Sequence, residues 1–229
     1  MSATVTDNTS YIEWDVGNWS AALGFWKRHT TLDLSRVDAL ELGSRNGGLS
    51  LWLARQGARV TCSDLTIPTA TARDLHSTGD VSGRISYAAV DATALTYAER
   101  FDVVMFKSVL GGLGGDDAHE TQHRAVAGMH RALRLGGELF FAENLVASPV
   151  HRLLRRRFVP WQHWRYVSLA ETLGFLAPFR EVSYRTVGFS AAFGRTEHQR
   201  SVLGTLDRAL LDRLVPERWR YVVVGVARK

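Results

Sequence analysis

Apolar positions along the chain switch between two rhythms. Val37, Ala39, Leu40 and Leu42 make a short, nearly continuous apolar run that stops at Gly43, as a strand buried on both faces does. Leu49, Trp52 and Leu53 then fall at i, i+3 and i+4, the spacing of one helical face, so a helix is expected to start near Asn46. The same alternation recurs downstream. Strands are predicted at 58–64, 85–92, 101–108 and 138–143, with helices at 67–77 and 116–133 between them. Pro68 sits in the first turn of one helix, where proline is tolerated, and Leu135, Gly136 and Gly137 end the other. Before this series, Trp19, Leu23 and Trp26 lie at i, i+4 and i+7 and predict an amphipathic helix over 18–28, capped by Asn18 or Asp15. After it, strands at 179–187 and 219–227 flank a helix at 197–214 carrying Leu203, Leu206, Leu210 and Leu214.

Strands alternating with helices build a mostly parallel sheet covered on both faces. In such a sheet, a glycine turn between the first strand and its helix lets a ligand approach the backbone. It also aims unpaired helix N–H groups at that ligand. This is the nucleotide-loop position of a Rossmann-like fold. Asp64 ends the second predicted strand 21 residues beyond Gly43, where a fixed carboxylate can accept from both hydroxyls of a ribose. Asp91 closes the third strand at the same edge, suited either to an adenine amine or to forming a turn. Lys107 and Ser108 end the fourth, followed by a glycine-rich stretch at 109–115 that lacks the lysine and hydroxyl of a phosphate-binding loop. A dinucleotide site needs glycine at position 45 so that the backbone can meet the pyrophosphate. Arg45 obstructs that approach.

From about Val37 through Asn144, these pieces in this order resemble the class I S-adenosylmethionine-dependent methyltransferases. Glu41–Gly48 (ELGSRNGG) looks like the first motif of that family, with Arg45 in place of its usual central glycine. Phe101 to Met105 matches its fourth strand, and Arg134 to Phe141 its glycine turn and fifth strand. The resemblance implies a Rossmann-like, seven-stranded, mostly parallel α/β sheet whose antiparallel last strand lies beside strand five. It implies cofactor contacts at Glu41, Gly43, Ser44, Arg45, Gly47, Asp64, Leu65, Asp91, Ala92, Lys107 and Ser108. The cofactor would be S-adenosylmethionine, released as S-adenosylhomocysteine. Arg45 would either pair with the methionyl carboxylate or face solvent.

Composition refines rather than redirects this reading. Across 229 residues, 28 Lys and Arg against 23 Asp and Glu give a formal charge of +5. Residues 144–170 alone hold five arginines, two histidines, two tryptophans and no acid. This insert reads either as a surface amphipathic helix at 150–158 or as a substrate wall for phosphate, carboxylate or a planar ring. Tyr11, Trp14, Trp19, Trp161, Arg165 and Tyr166 are the expected substrate contacts, with residues 1–30 forming a lid on a single domain. His163, His151 and Glu143 are the candidate bases, because an unperturbed imidazole titrates near pH ~6.5.

No metal site is legible, and one cysteine excludes an internal disulfide. With no basic-then-apolar leader and no long apolar run, a cytoplasmic protein is expected. The expected activity is methyl transfer to an O or N atom of a small molecule such as a natural product or sugar. Neither nucleic acid nor membrane is an expected partner, and a homodimer stays open. The alternatives are an RNA methyltransferase that grips phosphates with the arginine insert, or a non-catalytic binder of S-adenosylmethionine.

Overall fold

Seven strands hydrogen-bond in the order β3-β2-β1-β4-β5-β7-β6 in a computed structural model. It describes residues 8–68, 70–77, 81, 83–114, 117–158 and 164–229. The strands are β1 (Asp38–Leu42), β2 (Arg59–Asp64), β3 (Ile85–Ala89), β4 (Phe101–Lys107), β5 (Leu133–Asn144), β6 (Glu181–Val187) and β7 (Val222–Arg228). The first five run parallel, while β7 pairs antiparallel with both β5 and β6. That is the expected sheet, with the last strand beside the fifth. The order reverses between β1 and β4, and their C-terminal ends flank the crevice where open α/β sheets bind ligands.

Side-chain alternation along these strands feeds two cores. Ala39, Val103, Met105, Phe140 and Val224 face one layer, which also holds α1 (Val16–Trp19), α2 (Ala21–His29) and α3 (Gly48–Ala54). Leu40, Leu42, Val104, Phe106 and Phe141 face the other, covered by α5 (Ala118–Ala132) and α7 (Leu169–Phe175). The remaining helices are α4 (Ala70–Ser77), α6 (Pro149–Phe158), α8 (Glu197–Leu206) and α9 (Asp212–Leu214). Among the described residues, no helix is long and apolar enough to cross a membrane. Cys62 is buried in β2, and burial pushes its thiol up to about 11, so it packs as a small apolar group.

Several elements differ from the sequence expectation for local reasons. The N-terminal helix is broken at Ser20 into α1 and α2. Neither proposed cap is used: Asp15 sits at the N-cap position in a left-handed conformation (φ 46°) without a capping bond. Its carboxylate instead accepts from the Tyr221 hydroxyl, and Asn18 donates to Tyr221 Oη (2.8 Å) and Asp207 Oδ2 (3.2 Å). The helix expected at 197–214 is interrupted by a π-helical turn at Asp207–Leu211. There the buried Asp207 carboxylate accepts from the Ser190 and Ala191 amides (2.7 and 3.0 Å). Strand β5 starts at Leu133 rather than 138, because a register shift carries Gly136 (φ 75°) inside the strand.

Candidate active site

The tips of β1, β2, β4 and β5 are knitted together by the loops that leave them. After β1, Gly43 takes φ 65°, and a Cβ there would lie 2.6 Å from Val109 Cγ2, so only glycine fits. Ser44 N–H donates to Ser63 O (2.9 Å), and Arg45 N–H donates to Asp64 Oδ2 (2.8 Å). Asp64 Oδ1 accepts from Leu65 N–H (2.8 Å). The β2 carboxylate is thereby fixed against the glycine loop, with each oxygen retaining a lone pair for another donor. Gly47 (φ 76°) is the residue before α3, and its carbonyl lies 2.8 Å from His76 Nε2. Glu41 is buried and accepts from the Ser50 amide (2.9 Å) and hydroxyl, tying β1 to the first turn of α3. Burial outweighs those bonds and pushes its carboxyl up to about 8.

Above this loop lies a cavity of about 330 Å³. Its floor is Glu41, Gly43, Ser44, Gly48 and Leu49, and its far wall is Lys107, Ser108 and Asn144. Tyr11, Glu13, Trp14 and Trp19 close it from the N-terminal side, and Trp164 from the insert. Ser108 has φ 55°, and its Oγ accepts from Asn144 Nδ2 (2.6 Å). Lys107 is half-buried with its ammonium 4.9 Å from the Trp19 ring centroid, and no carboxylate of the described residues lies within 4.0 Å of it. Burial lowers its pKa from the usual lysine range. Three polar atoms of the lining residues are buried without a hydrogen-bond partner among the described residues: Ser44 Oγ, Trp19 Nε1 and Trp164 Nε1.

The structure thus brings Tyr11, Trp14, Trp19, Glu41, Gly43, Ser44, Arg45, Lys107 and Ser108 to one cavity. Arg45 takes the solvent-facing option: its side chain is 79% exposed and lies 3.4 Å from Glu13. Other expected site residues stand elsewhere. Glu143 is fully buried, and its carboxylate accepts from the Val109, Leu110 and Asn144 amides (2.9, 2.7 and 2.8 Å). Burial pushes it up to about 7, yet it braces the turn after β4 and does not line the cavity, which removes it as a base.

His151 is corrected for a similar reason. It is buried between Ser148 Oγ (2.8 Å from Nδ1) and Phe189 O (2.9 Å from Nε2), and it borders a different cavity. Burial brings it down to about 4, so it stays neutral at ordinary pH. Arg165 is spent on Gln122 Oε1 (2.6 Å) and Glu171 Oε1, fastening the insert to α5 and α7. Tyr166 packs beneath the Arg155 guanidinium, 3.7 Å from its ring centroid, and lines no cavity described here. His163 and Trp161 lie outside the described residues. Asp91 is exposed, and its Oδ1 caps the short turn Ala92–Ala94 through Thr93 N–H (2.8 Å); Ala92 is buried beneath that turn and Leu65 is 70% exposed.

Glu13, Leu49, Asn144 and Trp164 line the cavity without having been picked out as site residues, and Gly48 does so as the end of the expected motif. Trp164 carried a signal in its place within the aromatic insert. Glu13 carried none. Among the described residues, no group of three or more His, Cys, Asp or Glu is placed to hold a metal ion.

Residues 40–141, from β1 through most of β5, match the model of a methyltransferase domain family. This stretch is a methyltransferase domain, consistent with a class I S-adenosylmethionine-dependent methyltransferase. No curated protein sequence matches it significantly. Solved structures that resemble the methyltransferase share its fold at low identity. One is the Haemonchus contortus phosphoethanolamine N-methyltransferase 2, in complex with phosphomonomethylethanolamine and S-adenosylhomocysteine. It is 17% identical at a TM-score of 0.64, covering 99% of this chain and 57% of that one. A second is the Burkholderia thailandensis 1,6-didemethyltoxoflavin N1-methyltransferase, 17% identical at a TM-score of 0.58 over 98% and 80% of the two chains. A third is the [4+2]-cyclase SpnF, 18% identical at a TM-score of 0.59 over 92% and 80% of the two chains.

The cofactor of the methyltransferase is S-adenosylmethionine. The residues present fit it. Ser44 Oγ is buried and unpaired at the glycine loop, Lys107 offers a positive charge with no acid within 4.0 Å among the described residues, and Asp64 is held rigid one strand away.

Proposed function

We propose that this methyltransferase acts on an O or N atom of a small molecule, a natural product, sugar or related metabolite. The observation that carries the reading is the cavity of about 330 Å³ over the β1 and β4 tips, lined by Trp14, Trp19 and Trp164 beside the cofactor loop. Aromatic rings on a cavity wall give a compact acceptor flat apolar surface to pack against.

Asp64 would take the ribose hydroxyls, and Lys107 with Ser44 and Ser108 the amino-acid end of the cofactor. The bound cofactor supplies a methyl group on a sulfonium that is already a good leaving group. The protein therefore contributes chiefly by orienting the acceptor, worth up to roughly 7–11 kcal/mol of barrier when both partners are fixed. Residues 1–30 act as a lid and residues 145–170 as the acceptor-side insert of one domain. With its lone cysteine buried and no disulfide to maintain, the cytoplasm is the compartment that fits.

Transfer of a radiolabelled methyl group from S-adenosylmethionine to pools of amines, alcohols and RNA tests the proposal. Label in a small-molecule fraction is the expected result. Label in RNA, with affinity that falls steeply as salt rises, would instead select the RNA-modifying alternative.

A further inference from the structure

A second cavity, of about 590 Å³, opens between α6, the turn after β6 and the start of α8. Its charged lining is Arg155, Arg195 and Arg200, with Phe193 and the neutral His151 beside them and no carboxylate. Each arginine has unused capacity. Arg155 is half-buried, donates only to the Leu145 and Val146 carbonyls (2.8 and 3.0 Å), and meets no acid within 4.0 Å among the described residues. Arg200 has its Nε buried without a partner. The one acid near it, Glu197, stands 3.5 Å away and already accepts from the Asp15 and Val16 amides (3.0 and 2.8 Å). The Arg195 guanidinium is exposed and unpaired among the described residues, while its backbone N–H is held by Gln199 Oε1 (2.8 Å). The other buried acid close by, Asp207, is occupied by Ser190, Ala191 and Asn18. A guanidinium withdrawn from water without a counter-charge, as Arg155 is, is costly, and a bound oxyanion offsets that cost with bidentate hydrogen bonds, to which the exposed Arg195 and the Glu197-paired Arg200 add charge.

The two cavities share their partition. Trp14 lines the first, and the Arg200 guanidinium stands 4.9 Å from its ring centroid. Trp164 lines the first and packs on Tyr166, which carries Arg155 (centroids 6.3 Å apart).

We propose that the second cavity seats an oxyanion of the methyl acceptor, a phosphate, sulfate or carboxylate, gripped by Arg155, Arg195 and Arg200, with Phe193 against its apolar portion. This rests on the small-molecule reading above, and it adds that the acceptor is an anion whose charged end lies away from the methylated atom.

The test is calorimetry on the full chain at fixed ionic strength, with phenol, phenyl phosphate, phenyl sulfate, benzoate and inorganic phosphate as probes. At least one aromatic oxyanion should bind saturably and at least tenfold more tightly than phenol. The ranking of the three, with inorganic phosphate alongside, identifies which oxyanion the site takes. Arg195→Gln and Arg200→Gln should each weaken that binding about tenfold, while S-adenosylhomocysteine affinity stays within twofold of wild type. Arg200→Lys should restore part of the loss, separating charge from packing against Trp14. Oxyanions binding no more tightly than phenol, or equally well to wild type and the Gln variants, would overturn the assignment. So would tighter binding of a short oligoribonucleotide that the same substitutions abolish. Failure of wild type to bind S-adenosylhomocysteine while still binding phenyl phosphate would sink the methyl-acceptor role and leave the anion site.

Discussion

At the scale of single residues, the site divides into groups that face the cavity and groups that hold those in place. Asp64 is both, since its two oxygens already anchor the Arg45 and Leu65 amides. Asp64→Ala is expected to weaken S-adenosylhomocysteine binding by roughly 10–100-fold, the range for losing hydrogen bonds to a charged group. Calorimetry giving an unchanged affinity would remove the ribose assignment. Lys107 makes a sharper case, because Arg45 at the cavity rim is 79% exposed and lies 3.4 Å from Glu13, whereas Lys107 is half-buried with no acid within 4.0 Å among the described residues. Lys107→Met should cost about tenfold in affinity for S-adenosylhomocysteine. It should cost almost nothing for 5′-methylthioadenosine, which lacks the amino-acid carboxylate; equal losses for both would refute that pairing. These positions were legible because strand tips and glycine turns are local patterns. The fates of Glu143, His151 and Arg165 were not. A buried carboxylate bracing a turn and a catalytic one look alike until the distant partners, for Glu143 the Val109 and Leu110 amides 34 and 33 residues away, are known.

At the scale of elements, the sequence marked where strands and helices lie but not how their ends are satisfied. Helix α3 begins at Gly48 rather than near Asn46, because the left-handed Arg45 and Gly47 spend two residues turning the chain. A Cβ at Gly48 would sit 2.4 Å from the Tyr11 carbonyl oxygen. Gly48→Ala is therefore expected to push the 8–15 segment off the loop and to destabilise the fold by about 1–3 kcal/mol in denaturant titrations.

Asp15 supplies a pH test. Burial pushes its carboxyl up to about 7, with Glu197 and Asp207 adding to the rise and the Tyr221 hydrogen bond opposing it. A raised acid contributes fully below its unfolded value near 3.8, and that contribution is lost as pH climbs through the folded value. The thermal stability of wild type relative to Asp15→Asn should thus fall between about pH 4 and 7. Parallel curves for the two proteins would show that Asp15 does not titrate on unfolding.

At the scale of the whole molecule, a mostly parallel sheet covered on both faces followed from apolar periodicity, whereas the place of the antiparallel last strand beside the fifth came from the family resemblance. What periodicity could not reveal is which distant segments build the cavity walls. Its floor comes from β1, its back from β4 and β5, and its cover from residues 11–19 and Trp164. A ligand that bridges so many elements should stabilise all of them together. At 100 times its dissociation constant, S-adenosylhomocysteine should add about 2.7 kcal/mol, raising the melting midpoint by roughly 5–11 °C. A shift of under one degree at that saturation would mean that the cofactor does not engage the folded core.

The N-terminal aromatics are fastened to the far end of the chain. Trp26 Nε1 donates to Gly225 O (3.0 Å), Tyr221 donates to Asp15, and buried Glu138 gathers Thr30, Thr31 and Arg228. During synthesis residues 8–30 therefore emerge long before the C-terminal groups they hydrogen-bond exist. Their aromatic side chains must wait for almost 200 further residues, since loop closure over that distance precedes any contact that rewards it. The cover of the cavity is made well before the strand that seats it. A nascent chain halted before β7 would carry the glycine loop and Asp64 but no finished pocket, so methyl transfer is withheld until β7 has been made.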